Sequence, residues 1–300
     1  MLLRLAIIGI LFGCALQQPW VDDVSSNAPP PPLRVAVLDF GKSELGRRAA
    51  DIFSASLAKE SSLRIVDRAL SRSAALGMGY SGSLNMALGE ARDLGAGIGC
   101  DFFIVGDAQV QRRSPSDNSV YYEAYASVFV VSARTGQLVM WSRPNTRAAT
   151  PAVAEQSLLK ELTRDLDVYS VAAYRRAQDE RTTAERAAAG EAIVYEEAPD
   201  EGSPAAANFR PPEPYRRVRP PYPDTASEAE AEATVDAQVE IGTDGEVARI
   251  EIVRWAGFGL DESVVNTVRQ MHFRPAMRDG ASVPVRVLLR YNFRRPPKTK

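Results

Sequence analysis

The chain has 300 residues, enough for about two domains of ordinary size. Apolar residues make up 45% and charged residues 25%, which excludes a polytopic membrane protein and a wholly disordered chain. Lys+Arg number 36 against 38 Asp+Glu, so no global charge draws the protein onto nucleic acid. One His and two Cys leave little for metal or nucleophilic chemistry. The composition therefore points to a binding or structural protein rather than an enzyme.

Arg4 followed by the apolar run Leu5 to Phe12 has the pattern of an export signal. Gln17 and Gln18 end the run short of the ~20 residues that a transmembrane helix needs. Leu11-Phe12-Gly13-Cys14 resembles a bacterial lipobox. That likeness implies a signal peptide over 1–13, cleavage after Gly13 and lipidation of Cys14, which would hold the protein on a membrane. An ordinary signal peptide and a short membrane anchor are the alternatives. Cys100, the other cysteine, precedes the apolar run Phe102 to Val105 and reads as a small buried residue.

Proline marks the expected boundaries. Pro29 to Pro32 is a run of four, and eight more prolines fall between Pro199 and Pro223. Such stretches form stiff spacers without a core. They divide the chain into a tether (14–32), a first domain (33–150), a helix (151–190), a Pro-rich linker (191–219) and a small last domain (220–294). The first domain alternates strand and helix signals. Val35 to Leu38 and Leu63 to Val66 read as strands, with helical spacing of Ala49, Ile52, Phe53 and Leu57 between them. A helix is expected over 84–94, and strands over 102–110, 121–132 and 137–142. Gly95-Ala96-Gly97-Ile98-Gly99 reads as a helix stop. Leu158, Leu159, Leu162, Leu166 and Tyr169 form an apolar stripe that should pack on this domain.

The last domain carries the clearest pattern. Val235, Ala237, Val239 and Ile241 alternate with polar residues, and Thr243-Asp244-Gly245 is a hairpin signal. Ala248, Ile250 and Ile252 are expected on the buried face of the next strand. Leu260, Val264, Val268 and Met271 step at helical spacing, and Val283 to Phe293 alternates again. The expected fold is α+β: an N-terminal α/β domain with a mixed sheet, a long helix and linker, and a small C-terminal ββαβ domain with one helix over three strands.

Motifs for catalysis and cofactors mostly fail. Gly41-Lys42-Ser43 follows a strand, but Ala36 stands where a phosphate loop needs its first Gly. The glycines at 95–99 have the wrong order of elements for a dinucleotide loop. Ser83 replaces the second Gly of a nucleophile elbow at 79–83. His272 has no nucleophile beside it in sequence. No catalytic residue, cofactor or metal site is expected. Arg210, Arg216, Arg217 and Arg219, interleaved with Pro and Tyr215, could meet anionic head groups or an acidic partner, or simply solvate the linker.

Two resemblances follow. Tyr222-Pro223, Thr243-Asp244-Gly245, Leu260-Asp261-Glu262, His272 to Ala276, Arg278-Asp279-Gly280, Val283-Pro284-Val285 and Tyr291-Asn292-Phe293 are similar in serial order to the C-terminal domain family of TonB. The likeness covers about 220–294. It implies a periplasmic domain that couples envelope proteins, contacts extended segments by strand addition, and uses Tyr222 and Pro223 among its partner-binding residues. Val35 to Phe40, Val66-Asp67-Arg68, Leu94-Gly95-Ala96 and Ile104-Val105-Gly106 resemble, more weakly, CsgG-like and TolB N-terminal-like envelope lipoprotein domains. That likeness implies fold and compartment only.

Together these features predict a non-enzymatic periplasmic lipoprotein, on the outer rather than the inner membrane. Its expected partners are an outer-membrane transporter or a secretion or assembly component, with a homodimer as a further option and no nucleic acid. The alternative is a CsgG-like component of an envelope secretion, assembly or cell-wall synthesis complex. The strand over 283–293 is the expected docking edge. Arg286, Leu288, Arg290 and Arg294 point away from its apolar face, and the arginines would steer an acidic segment.

Overall fold

The computed structural model describes residues 31–114, 120–189, 195–199 and 202–295. The expected signal peptide, Cys14 and nearly all of the tether lie outside the described residues. From Pro32 onward the chain forms one compact unit with two lobes. The described residues hold seven α-helices and several sheets, a mixed α and β architecture.

The N-terminal lobe runs β1 (Leu33–Phe40), α1 (Glu44–Leu57), β2 (Leu63–Ile65), α2 (Arg68–Gly77), β3 (Met86–Ala87), α3 (Leu88–Ile98), β4 (Phe102–Arg113), β5 (Tyr121–Ser132), β6 (Leu138–Ser142), β7 (Asn145–Ala148), α4 (Pro151–Glu161) and α5 (Leu166–Ala189). Its mixed sheet has the order β2-β1-β4-β5-β6, with β7 also on β5. The parallel strand β1 is buried on both faces, which explains its continuous apolar run. Val35 and Val37 face α1, α4 and α5 with Phe53, Leu158, Leu162 and Tyr169. Ala36 and Leu38 face α2 and α3 with Ala75, Ala91 and Leu94. The apolar stripe of 158–169 packs here as expected.

The C-terminal lobe begins with a strap that contains β8 (Glu196–Glu197), β9 (Phe209–Arg210), β10 (Glu213–Pro214) and α6 (Asp224–Glu228). It continues with β11 (Ala233–Ile241), β12 (Val247–Trp255), α7 (Leu260–Arg269), β13 (Phe273–Arg274), β14 (Ala276–Arg278), β15 (Ala281–Val283) and β16 (Val285–Phe293). The main sheet has the order β3-β12-β11-β16-β8. Leu260, Val264 and Val268 of α7 cover Val235, Ala237, Val239 and Ile241.

Five local expectations change. The helix expected over 84–94 starts only at Leu88, because Met86 and Ala87 pair with Trp255 and Arg254 of the other lobe. The glycines at 95 and 97 lie inside α3, where they let Ala133 and Met78 approach, and only Gly99 ends the helix, with φ of +74°. The helix expected over 151–190 is two helices. Register shifts in β12 leave Ala248 exposed and Ile250 and Ile252 half-buried. The described part of the 191–219 stretch does not stand free as a spacer, since β8, β9 and β10 pair with β16, β14 and β13.

Candidate partner-binding site

The edge of β16 is built by alternation. Val285, Val287, Leu289, Tyr291 and Phe293 turn toward α7, which leaves Arg286, Leu288 and Arg290 on the opposite face. Leu288 is 55% exposed. On the edge itself, Pro284 and Arg286 carbonyls accept from the Glu196 and Ala198 amides at 3.0 and 3.1 Å. The same alternation turns the backbone groups of Leu288, Arg290 and Asn292 outward. Among the described residues, no strand pairs with them on that side. Leu288, Arg290 and Asn292 thus carry an open template for a further strand.

The arginines are already engaged. Arg290 binds Asp236 through Nε and Nη2 at 2.7 and 2.9 Å. Arg286 donates to Glu240 at 2.8 Å and to Glu197 at 2.9 Å. These carboxylates raise both guanidinium pKa values further above their ordinary range. Of the expected steering residues, exposed Arg294 has no ion-pair partner among the described residues.

Tyr222 and Pro223 serve the lobe's own packing. The Tyr222 hydroxyl lies 2.7 Å from the Ala231 carbonyl and 3.2 Å from that of Ala226, and its ring meets Phe293 at 6.4 Å. Pro223 caps α6 next to Gly259.

The junction of the lobes was not visible in the sequence. Trp255 belongs to β12 but is buried in the N-terminal core, stacked on Phe129 at 5.9 Å, and its Nε1 donates to the Gly136 carbonyl at 3.0 Å. Phe258 meets Phe129 at 5.4 Å and Trp141 at 5.5 Å. Gly257 has φ of +72°, and a Cβ there would collide with the Phe129 ring. The Asn85 amide donates to the Trp255 and Thr234 carbonyls at 2.6 and 2.8 Å. Asp261 accepts the Ala256 and Gly257 amides at 2.9 and 2.8 Å, and burial pushes its pKa up to about 7.

The other candidates have local roles. Ser43 Oγ caps α1 at Gly46 and donates to the Ala108 carbonyl, each at 2.8 Å. Burial, followed by the charge of Asp101, pushes the Cys100 thiol up to about 12. His272 Nδ1 lies 2.9 Å from Glu246 on the surface. Among the described residues, no group of His, Cys, Asp or Glu could hold a metal ion, and no helix is long and apolar enough to cross a membrane.

Residues 218–294 match the family described as Gram-negative bacterial TonB protein C-terminal. No curated protein matches the chain. Among solved structures, the TonB C-terminal domain of Pseudomonas aeruginosa is similar at 21% identity, over 33% of this chain and 96% of that one, with a TM-score of 0.25. The LpoB C-terminal domain of Salmonella enterica is similar at 13% identity, over 41% of this chain and 88% of that one, with a TM-score of 0.28. A lipoprotein of Neisseria meningitidis is similar at 10% identity, over 45% of this chain and 99% of that one, with a TM-score of 0.32. The matched segment contains the two alternating strands, the covering helix and the long last strand, so residues 218–294 of the C-terminal lobe form a domain similar to the TonB C-terminal type.

Proposed function

We propose that this protein is an exported, non-enzymatic envelope protein whose TonB-type domain receives an extended segment of a partner along β16. The observation that carries this reading is the outward backbone of Leu288, Arg290 and Asn292 within the matched domain, which no strand among the described residues pairs. The export-signal pattern expected before Cys14 and the match of residues 218–294 to a Gram-negative family support a periplasmic setting. Lipidation of Cys14 would add the membrane attachment.

Because β16 bonds to β11 through its alternate residues, Leu288→Pro removes an outward donor and spares that ladder. Leu288→Thr keeps the donor and serves as the control. The full chain is used to capture partners from envelope fractions, with circular dichroism to confirm folding. Loss of the bound segment in Leu288→Pro and retention in Leu288→Thr is the expected outcome. A folded Leu288→Pro variant that holds the same partners with undiminished affinity refutes strand addition at this edge. If the occupant is a second copy, sedimentation shows a dimer that the proline abolishes.

A further inference from the structure

The strap lies antiparallel along the segment 272–278 in two short ladders, β9 on β14 and β10 on β13. Between them fall Pro211 and Pro212, with Pro275 between β13 and β14 on the other side. None of the three has an N–H, so the ladder cannot close there. A groove of about 620 Å³ opens in the gap, lined by Arg210, Arg217, Arg274 and Glu213 together with Pro212 and Pro275.

The charge at this place is concentrated and little neutralised. Arg210, Arg216, Arg217 and Arg219 are exposed and have no ion-pair partner among the described residues. Arg274 meets Glu213 at 3.4 Å, with both side chains about two-thirds exposed, so the pair is weak. Three lining arginines against one lining glutamate leave a surplus of two positive charges, with exposed Arg216 and Arg219 adjoining in sequence, on a chain whose net charge is -2. Tyr215 is 68% exposed, and the Arg274 guanidinium sits 5.8 Å from its ring.

We propose that this groove is a docking site for an extended acidic polypeptide segment. Guanidinium forks match carboxylates two bonds at a time. Proline walls and an exposed aromatic ring suit an extended chain laid in a concave channel. A lipid surface would meet an outward-facing basic patch, whereas Arg210, Arg217 and Arg274 line a recess. The site uses none of the β16 residues and stands independently of the reading above.

The test is fluorescence anisotropy of a labelled oligo-glutamate peptide with the full chain, at about 0.02 M and about 0.15 M salt. The variant Arg210→Gln/Arg217→Gln/Arg274→Gln removes three charges from exposed positions and keeps side-chain length. The control Arg64→Gln/Arg92→Gln/Arg112→Gln removes three exposed charges from the N-terminal lobe. Oligo-lysine serves as the probe of opposite sign. The expected result is saturable oligo-glutamate binding, weakened about tenfold or more by the groove variant. The control variant should change it less than about twofold, and the affinity should fall with salt. Absence of saturable binding, equal losses in the two variants, or equal binding of oligo-lysine would overturn the proposal. So would groove-dependent binding to phosphatidylglycerol vesicles without peptide binding.

Discussion

Trp255→Ala is the sharpest test of how the two lobes are held together. The side chain is 1% exposed and lies in the N-terminal core, although its backbone is the last residue of a C-terminal-lobe strand. Truncating a buried aromatic to alanine costs about 3–5 kcal/mol. The change also removes the Nε1 bond to Gly136 and leaves that carbonyl unsatisfied, worth about 1 kcal/mol. The stack on Phe129 is partly counted already in the burial, so the expected loss is about 4 kcal/mol. With a urea slope of about 2–3 kcal/mol/M, the unfolding midpoint should fall by about 1.3–2 M. The location of the effect separates a junction from an ordinary core position. Amide hydrogen exchange should rise in β3 and α3 of one lobe and in β12 of the other together. Trp255→Phe, which keeps a ring but not the donor, should cost about 1–2 kcal/mol. A midpoint shift below about 0.5 M, or faster exchange confined to β12, would refute the role of Trp255 as a shared core residue.

Two further outcomes are expected. Asp261 binds a proton more readily folded than unfolded, so it contributes stability that is full below about pH 4 and lost as the pH climbs through about 7. The contribution is at most about 4 kcal/mol, and urea midpoints from about pH 4 to pH 8 should show a falling component that Asp261→Asn abolishes; the same slope in both proteins would contradict it. If Cys14 carries the membrane attachment, Cys14→Ser should move the protein to the soluble fraction, and an intact mass that still includes residues 1–13 in the wild type would rule acylation out.

The parts of the fold visible in the sequence are those whose pattern is local. Alternation in Thr234 to Ile241 and helical spacing from Leu260 to Val268 locate β11 and α7, because each buries one face against its own neighbours. The unbroken run at Val35 to Leu38 marks a strand covered on both sides. What stayed hidden depends on partners far along the chain. Met86 and Ala87 continue a helical pattern and become a strand only because β12 offers an edge. Trp255 and Phe258 look like a strand end and a turn, and nothing nearby announces that Phe129 and Trp141 complete their cluster. The strap misleads for a different reason. Its prolines argue for a spacer, yet short pairs beside them, such as Phe209–Arg210 and Glu213–Pro214, are enough to bind it to the lobe. At the candidate edge, the face of Arg286, Leu288 and Arg290 followed from alternation, whereas the carboxylates that hold the arginines lie across the sheet.

The C-terminal sheet has two edges, and the chain itself occupies part of each. β12 is met by β3 at Arg254 and Trp255, which joins that side to the N-terminal lobe. Among the described residues, β16 is met by β8 only at Val285 and Arg286, so that pairing ends where the open template begins. Three outward residues would accept a segment of about five residues, a short strand that gains affinity mainly from backbone bonds. Arg286 and Arg290 are held by Glu240 and Asp236, so of the arginines expected to steer a segment only Arg294, at the strand's end, would add charge selectivity. On the proposed reading, side-chain recognition there would fall to Leu288, the large apolar residue exposed beside the template. Preference for acidic sequence would then belong to the groove of Arg210, Arg217 and Arg274, and a partner using both sites would carry an apolar extended stretch and an acidic one.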